Sequence, residues 1–130
     1  MKYLTTFILI SIVCFAFDKS EQSIISVSLI NLISTPEKYH NKYIRVIGVI
    51  DLEFENNKIW LSKESRKYKL NKNALWIVPN YTQLAIPKDE LKKYNGKYVL
   101  IEGIFNKNSK GHLGMNSGEI NHITRYNLWE

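Results

Sequence analysis

Two segments of this chain speak the same phrase, 55 residues apart. Tyr39-His40-Asn41-Lys42-Tyr43-Ile44-Arg45-Val46-Ile47-Gly48-Val49-Ile50 returns as Tyr94-Asn95-Gly96-Lys97-Tyr98-Val99-Leu100-Ile101-Glu102-Gly103-Ile104-Phe105. Each copy reads as a turn, a lysine and an apolar strand with glycine at its sixth residue. Glycine inside a long strand weakens a flat sheet, but suits a sharp bend or the close approach of a second backbone. Two glycines at equivalent places form an architectural signature rather than a catalytic one. They predict a small curled β-barrel in which Gly48 and Gly103 mark the bends. Asn41 and Gly96 hold the matching turn positions, where a left-handed conformation favours Gly and tolerates Asn.

The rest of the chain is read around those two strands. Ser28 is placed to cap a short helix carrying Leu29, Leu32 and Ile33 on one side. A further helical turn begins at Pro36 and ends near Tyr39. The first long strand is expected over Tyr43 to Glu55, with Ile44, Val46, Ile50, Leu52 and Phe54 on one face. Asn56-Asn57 reads as a hairpin turn, with a return strand from Lys58 to Ser62. Ser65 to Asn73 is a polar, basic loop with room for a helical turn. Ala74 to Val78 is a short strand ended by Pro79, and Tyr81 to Ile86 is connecting chain. Pro87 to Tyr94 reads as a helix with proline early and acidic residues in its first turn. Tyr98 to Phe105 is the second long strand. A glycine-rich segment follows to Gly118, with a brief strand at His112 to Met115, and Ile120 to Trp129 is the last strand. Three strands, a helix and two strands, after a short N-terminal helix, is the order of a five-stranded OB-like barrel. An SH3-like barrel and a simple α+β sheet are the alternatives.

The N-terminus reads as a leader. Lys2 supplies a positive end, Leu4 to Phe15 are almost wholly apolar, and Cys14-Phe15-Ala16 offers small residues at the two positions a signal peptidase reads. The expected division is a signal peptide over 1–16, a flexible or short extended lead over 17–27, and the domain over 28–130. Secretion or a periplasmic location follows, with lipid attachment through Cys14 as the minor alternative, because bulky Ile12 and Val13 precede that cysteine. A chain cleaved after Ala16 has no cysteine, which excludes a disulfide scaffold and a thiolate nucleophile. An integral membrane protein is not expected. The formal charge of +6, or +5 without Lys2, raises nucleic acid as a partner. Scattered lysines without an arginine patch make a solvated basic surface the simpler reading.

The stretch from Ser28 to Trp129 resembles a group of small, poorly characterised exported bacterial proteins of OB-like fold. The resembling residues are Leu32 to Tyr39, Val46 to Glu55, Asn73-Ala74-Leu75-Trp76, Asn95 to Val99, Lys110-Gly111-His112-Leu113-Gly114 and Ile123-Thr124-Arg125. The resemblance implies the fold and no activity, so it brings no catalytic residues with it. Asn41 stands where glycine is usual in the Tyr-x-Gly-Lys turn.

Site chemistry is sparse. No phosphate loop, His-Glu-x-x-His, cysteine pair or Gly-x-Ser-x-Gly elbow is present, and Ser117 belongs to a turn. Asp51, Glu53 and Glu55 fall at strand spacing, on one side, and read as a solvent face offset by Arg45 and nearby lysines; carboxylates so placed also suit calcium or acid-base work. His112 and His122 could meet across the last hairpin with Glu119 near, while His40 lies far off in sequence, so a zinc set is not expected. No metal or cofactor is implied. The aromatic candidates for a ligand groove are Trp60, Tyr68, Trp76 and Tyr81, with Lys63, Arg66, Lys67 and Lys69 beside them and His112 on its edge. The tryptophans also suit the core, whereas Tyr68 and Tyr81 lie in loops. The reading that results is a noncatalytic exported binding module contacting another exported or envelope protein, as accessory or inhibitor. The alternative is a single-stranded oligonucleotide or an oligosaccharide in the groove. An enzyme is not expected; its remaining candidates are Glu53, His112 and Glu119.

Overall fold

The computed structural model describes residues 22–130. The expected signal peptide, with Cys14, and residues 17–21 of the lead lie outside them. Among the described residues six strands are formed: β1 (Ile25–Ser26), β2 (Tyr43–Glu53), β3 (Asn56–Trp60), β4 (Ala74–Ile77), β5 (Tyr98–Asn106) and β6 (Glu119–Leu128). Four short helices join them: α1 (Leu29–Ser34), α2 (Lys63–Lys67), α3 (Tyr81–Leu84) and α4 (Lys88–Lys92). Ser28 caps its helix as expected, and Ser62 and Asn80 cap two more: each side chain accepts from the backbone N–H three residues on.

The strands make one mixed sheet in the order β1-β2-β3-β4-β6-β5, with a further β2–β5 pairing. Two pairs are parallel, β1 with β2 and β4 with β6. This topology corrects the expected five-stranded OB-like barrel. The domain is mainly β, with a sixth strand laid parallel on β2 and four helices in place of two. The extra strand comes from the lead, where Val27 donates to the Arg45 carbonyl and extends the pairing. The extra helices, α2 and α3, fall in segments read as loop and connecting chain. Their caps satisfy N–H groups that hydropathy alone does not weigh.

The two copies of the repeated phrase lie side by side. β2 and β5 pair antiparallel from Tyr43↔Ile104 to Val49↔Tyr98, with Val46 opposite Ile101. Val46 and Ile101 are the same position in the two copies, so a local two-fold runs through that pair. The turns obey it as well. Asn41 donates to the Phe105 carbonyl and Gly96 to that of Ile50, both at 2.8 Å, while Phe105 and Ile50 donate back to the carbonyls of Lys42 and Lys97 at 3.1 Å. Asn41 and Gly96 are both left-handed, at φ 59° and 80°.

The paired glycines are where other strands press close. A β-carbon on Gly48 would sit 2.7 Å from the Trp60 carbonyl oxygen and 2.6 Å from Ile59 Cγ1. One on Gly103 would sit 2.6 Å from the Asn121 carbonyl oxygen. Opposite Gly103 the β5–β6 register shifts, and His122 takes up the irregularity at φ 47°. The main core is mostly aliphatic, with Phe105 its one fully buried aromatic ring: Leu32, Ile44, Ile50, Leu52, Ile59, Leu75, Leu91, Ile101 and Ile123 are likewise fully buried. Each such side chain contributes about 1.5–3 kcal/mol. A second, smaller cluster holds Val49, Trp60 and Ala74 against Tyr98.

Some boundaries move. The hairpin turns at Phe54–Glu55, with Glu55 left-handed, so Asn56 and Asn57 belong to β3 and pair with Glu53 and Leu52. Phe54, expected on the face of the first strand that carries Ile50 and Leu52, stands 86% exposed at the turn. His112–Gly114 is a 3-10 turn rather than a strand.

Candidate functional site

A cleft of about 490 Å³ opens between the β2–β3 hairpin, the chain from α2 to Asn71, and the turn carrying His112 and Met115. The hairpin register puts Asp51 opposite Lys58, and both are buried in the cleft wall. Asp51 is held by three nitrogens of two side chains: Trp60 Nε1 donates to it at 2.9 Å, Arg66 Nε at 2.9 Å and Arg66 Nη2 at 2.8 Å. Trp60 thus packs its ring in the smaller core and turns its one polar atom to the cleft. Lys58 donates to the Asn71 carboxamide oxygen at 2.7 Å, with its ammonium 5.1 Å from the centre of the Trp60 ring. Burial lowers the Lys58 pKa; Asp51 opposes the shift and Lys69 adds to it. The deep end of the cleft is therefore an internally satisfied set of Asp51, Trp60, Arg66, Lys58 and Asn71.

The rims differ. Glu53 and Glu55 are exposed on the hairpin side, and Lys67 and Lys69 on the side of α2 and the chain that follows it. His112 Nε2, on the 112–115 turn, lies 3.6 Å from the Glu55 carboxylate of the hairpin. Three non-glycine residues here have left-handed backbones: Glu55 and Lys69 on the cleft, and Leu113 beside it, at φ 53°, 52° and 55°. Each such conformation costs energy, and three further non-glycine residues, Asn41, Ala85 and His122, adopt it away from the cleft.

The sequence candidates separate. Trp60, Arg66, Lys67, Lys69 and His112 come together in this cleft. Lys63 turns to the Tyr98 ring, 5.8 Å away. Tyr68 projects outward, 66% exposed, with Lys67 Nζ 5.3 Å from its ring centre. Tyr81 packs against the main core instead and shares a separate depression with Asn80 and His122; burial raises its pKa. Trp76 is half-buried, its ring covered by Gly111, where a β-carbon would come within 2.5 Å.

Asp51, Glu53 and Glu55 all line the cleft, but Asp51 is not on a solvent face and is neutralised by Arg66 rather than Arg45. Arg45 pairs with Glu102 at 2.7 Å. His112 and His122 line different cavities, Glu119 is engaged by Ser109 and Asn121, and His40 Nδ1 accepts from the Lys107 backbone. Among the described residues no group of three His, Cys, Asp or Glu side chains is placed to hold a metal ion. Nor is any helix among them long and apolar enough to cross a membrane. Sequence reasoning missed Lys58 and Asn71. The signal for Lys58 was its place opposite Asp51, which becomes visible only once the hairpin turn is set at Phe54–Glu55.

No protein-family model matches this chain, and no curated protein does. The resemblance to small exported bacterial proteins of OB-like fold is corrected with the barrel: the six-stranded mixed sheet overturns it.

Proposed function

We propose that the protein is a noncatalytic exported binding module whose cleft takes a segment of another exported or envelope protein, in an accessory or inhibitory role. The observation that carries this reading is the pairing of rims of opposite sign, Glu53 and Glu55 against Lys67 and Lys69, over a floor whose own charges are already partnered. Such a cleft favours a ligand that carries both signs at side-chain spacing, as a polypeptide does; a chain of phosphates is repelled by one rim. Export rests on Lys2, the apolar run from Leu4 to Phe15 and the small residues at 14 and 16.

The test is crosslinked capture from the native envelope fraction with the mature chain and two charge reversals, Glu53→Lys/Glu55→Lys and Lys67→Glu/Lys69→Glu. A partner retained by the parent and lost by both variants supports the cleft. Repeated recovery of the monomer alone overturns the reading. A second reading, single-stranded oligonucleotide binding, is favoured by the exposed Tyr68 ring with Lys67 across it. Fluorescence titration with short single strands at two salt concentrations decides it; no binding at low salt, where phosphate contacts are strongest, removes it.

A further inference from the structure

Every member of the cleft floor has a hydrogen-bond partner, but the charges there do not cancel. The floor holds one carboxylate, Asp51, against two cations, Arg66 and Lys58. Both Asp51 oxygens are engaged by other groups. Arg66 Nε reaches Oδ1 and Oδ2 at 2.9 and 3.0 Å, Arg66 Nη2 lies 2.8 Å from Oδ1, and Trp60 Nε1 donates to Oδ2 at 2.9 Å. Lys58 faces Asp51 across the hairpin and forms no ion pair with it. Among the described residues no other carboxylate lies within ion-pair distance of Lys58.

The Lys58 ammonium is nonetheless fixed in place. The residue is only 7% exposed. Its Nζ lies 2.7 Å from Asn71 Oδ1 and 5.1 Å from the centre of the Trp60 ring, and both of those side chains line the cleft with it. An ammonium has three N–H donors. Asn71 takes one, and the tryptophan offers only its π face. A buried cation without a counter-ion is costly, and a carboxylate brought to it offsets that cost. Burial lowers the Lys58 pKa against the pull of Asp51, and Lys69 lowers it further, as befits a cation short of negative charge.

We propose that Lys58 anchors the partner segment by receiving one of its carboxylates, while Glu53 and Glu55 hold a basic residue of the same segment at the rim. This rests on the polypeptide reading of the cleft and specifies what the segment carries: an acid that reaches the floor and a base beside it.

The experiment is amide chemical-shift titration of the mature chain with two blocked peptides, acetyl-Lys-Ala-Glu-Ala-Lys-amide and its Gln counterpart. A base on each side of the acid makes the direction of the segment immaterial. Saturable shifts at Lys58, Lys69 and Asn71 are expected with the Glu peptide, and binding about tenfold weaker with the Gln peptide. Lys58→Met replaces a buried charge by an apolar chain of similar length and should keep a dispersed spectrum. In that variant the preference for Glu should fall below about twofold. A second measurement needs no variant. A bound carboxylate favours the ammonium, so the side-chain titration of Lys58, followed at Cε in an isotope-labelled chain, should move to higher pH with the Glu peptide and stay in place with the Gln peptide. A third peptide, acetyl-Lys-Ala-Gln-Ala with a free C-terminus, separates the two sources of a carboxylate: binding as tight as that of the Glu peptide assigns the anchor to a chain terminus, and weaker binding to a side chain. Equal affinity for the Glu and Gln peptides at the cleft residues would overturn the anchor and leave the polypeptide reading standing. A Glu preference that survives in Lys58→Met, an unmoved Lys58 titration, or no saturable shift with any peptide would also overturn it; capture with the charge-reversed chains then decides the polypeptide reading by itself.

Discussion

The two copies of the repeated phrase share a backbone and differ in what they serve. In the first, Asn41 sits exposed in its left-handed turn, and Tyr39 is tucked against the core beneath Lys38. In the second, Gly96 lies under the guanidinium of Arg66, 3.1 Å from where a β-carbon would be, and Tyr94 stacks on Tyr126 at 6.2 Å. The hydrogen bonds around the two turns match pair for pair. Asparagine is therefore acceptable in one turn because nothing lies above it. Glycine is needed in the other because the arginine that holds Asp51 does. A repeated local structure supplies the frame, and its second copy has been fitted to the cleft.

The frame itself is where the comparison is broken most sharply. Gly48→Val and Gly103→Val should each destabilise by about 3 kcal/mol, because each new side chain starts within 3 Å of a crossing backbone carbonyl that cannot rotate away. Urea unfolding measures both; a midpoint at or above the parent's in either variant would mean the strands do not pack so closely there. Next comes the ion pair that only the second copy supports. Asp51→Ala strands Arg66 and the Trp60 N–H and should cost about 2 kcal/mol. That is below the roughly 3–5 kcal/mol of a fully buried pair, since the Arg66 side chain is 38% exposed.

The turns test the difference between copies directly. Gly96→Ala must hold a left-handed alanine and displace Arg66, for about 1.5 kcal/mol, whereas Asn41→Gly should stay within about 0.5 kcal/mol of the parent. Equal effects at the two positions would dissolve the distinction. A stabilising change is expected at Tyr126, the stacking partner of Tyr94. Its hydroxyl is buried with no hydrogen-bond partner, and burial first, then Tyr81, Asp51 and Tyr94, push its pKa well above the usual tyrosine range. The folded chain thus keeps a proton that the unfolded chain releases near pH 10. This contribution to stability is intact below that pH and declines above it, until the folded phenol itself ionises. Tyr126→Phe should gain up to about 1 kcal/mol at neutral pH and flatten the alkaline decline, as thermal unfolding from pH 7 to 11 would show. An unchanged slope would place the alkaline sensitivity elsewhere.

Much of the frame was legible in the sequence. The repeat marked the two long strands and their glycines, Ser28 marked the first helix, and Pro87 with Asp89 and Glu90 marked the fourth. The hairpin was misjudged for a local reason. Asn56-Asn57 is good turn chemistry, but the strand pattern reaches it equally well from Phe54–Glu55, and moving a two-residue turn by two positions shifts the pairing by four. With the turn at Asn56-Asn57, Asp51 would face Ser62. With the turn where it is, Asp51 faces Lys58, and the cleft has its floor.

Readable along the chain were the period-two apolar faces, the glycines inside the two long strands, the Ser28 cap, and the left-handed turns at Asn41 and Gly96. These are properties of neighbouring residues, and local sterics and hydrogen bonding decide them. Long-range packing set the rest: the two copies pair about Val46 and Ile101, a residue pair from the lead adds a sixth strand, and Arg66 reaches back to Asp51. Each of these joins segments with no local preference for one another. They meet only because burying the aliphatic faces of β2, β5 and β6 in one core leaves the connecting chain few places to go.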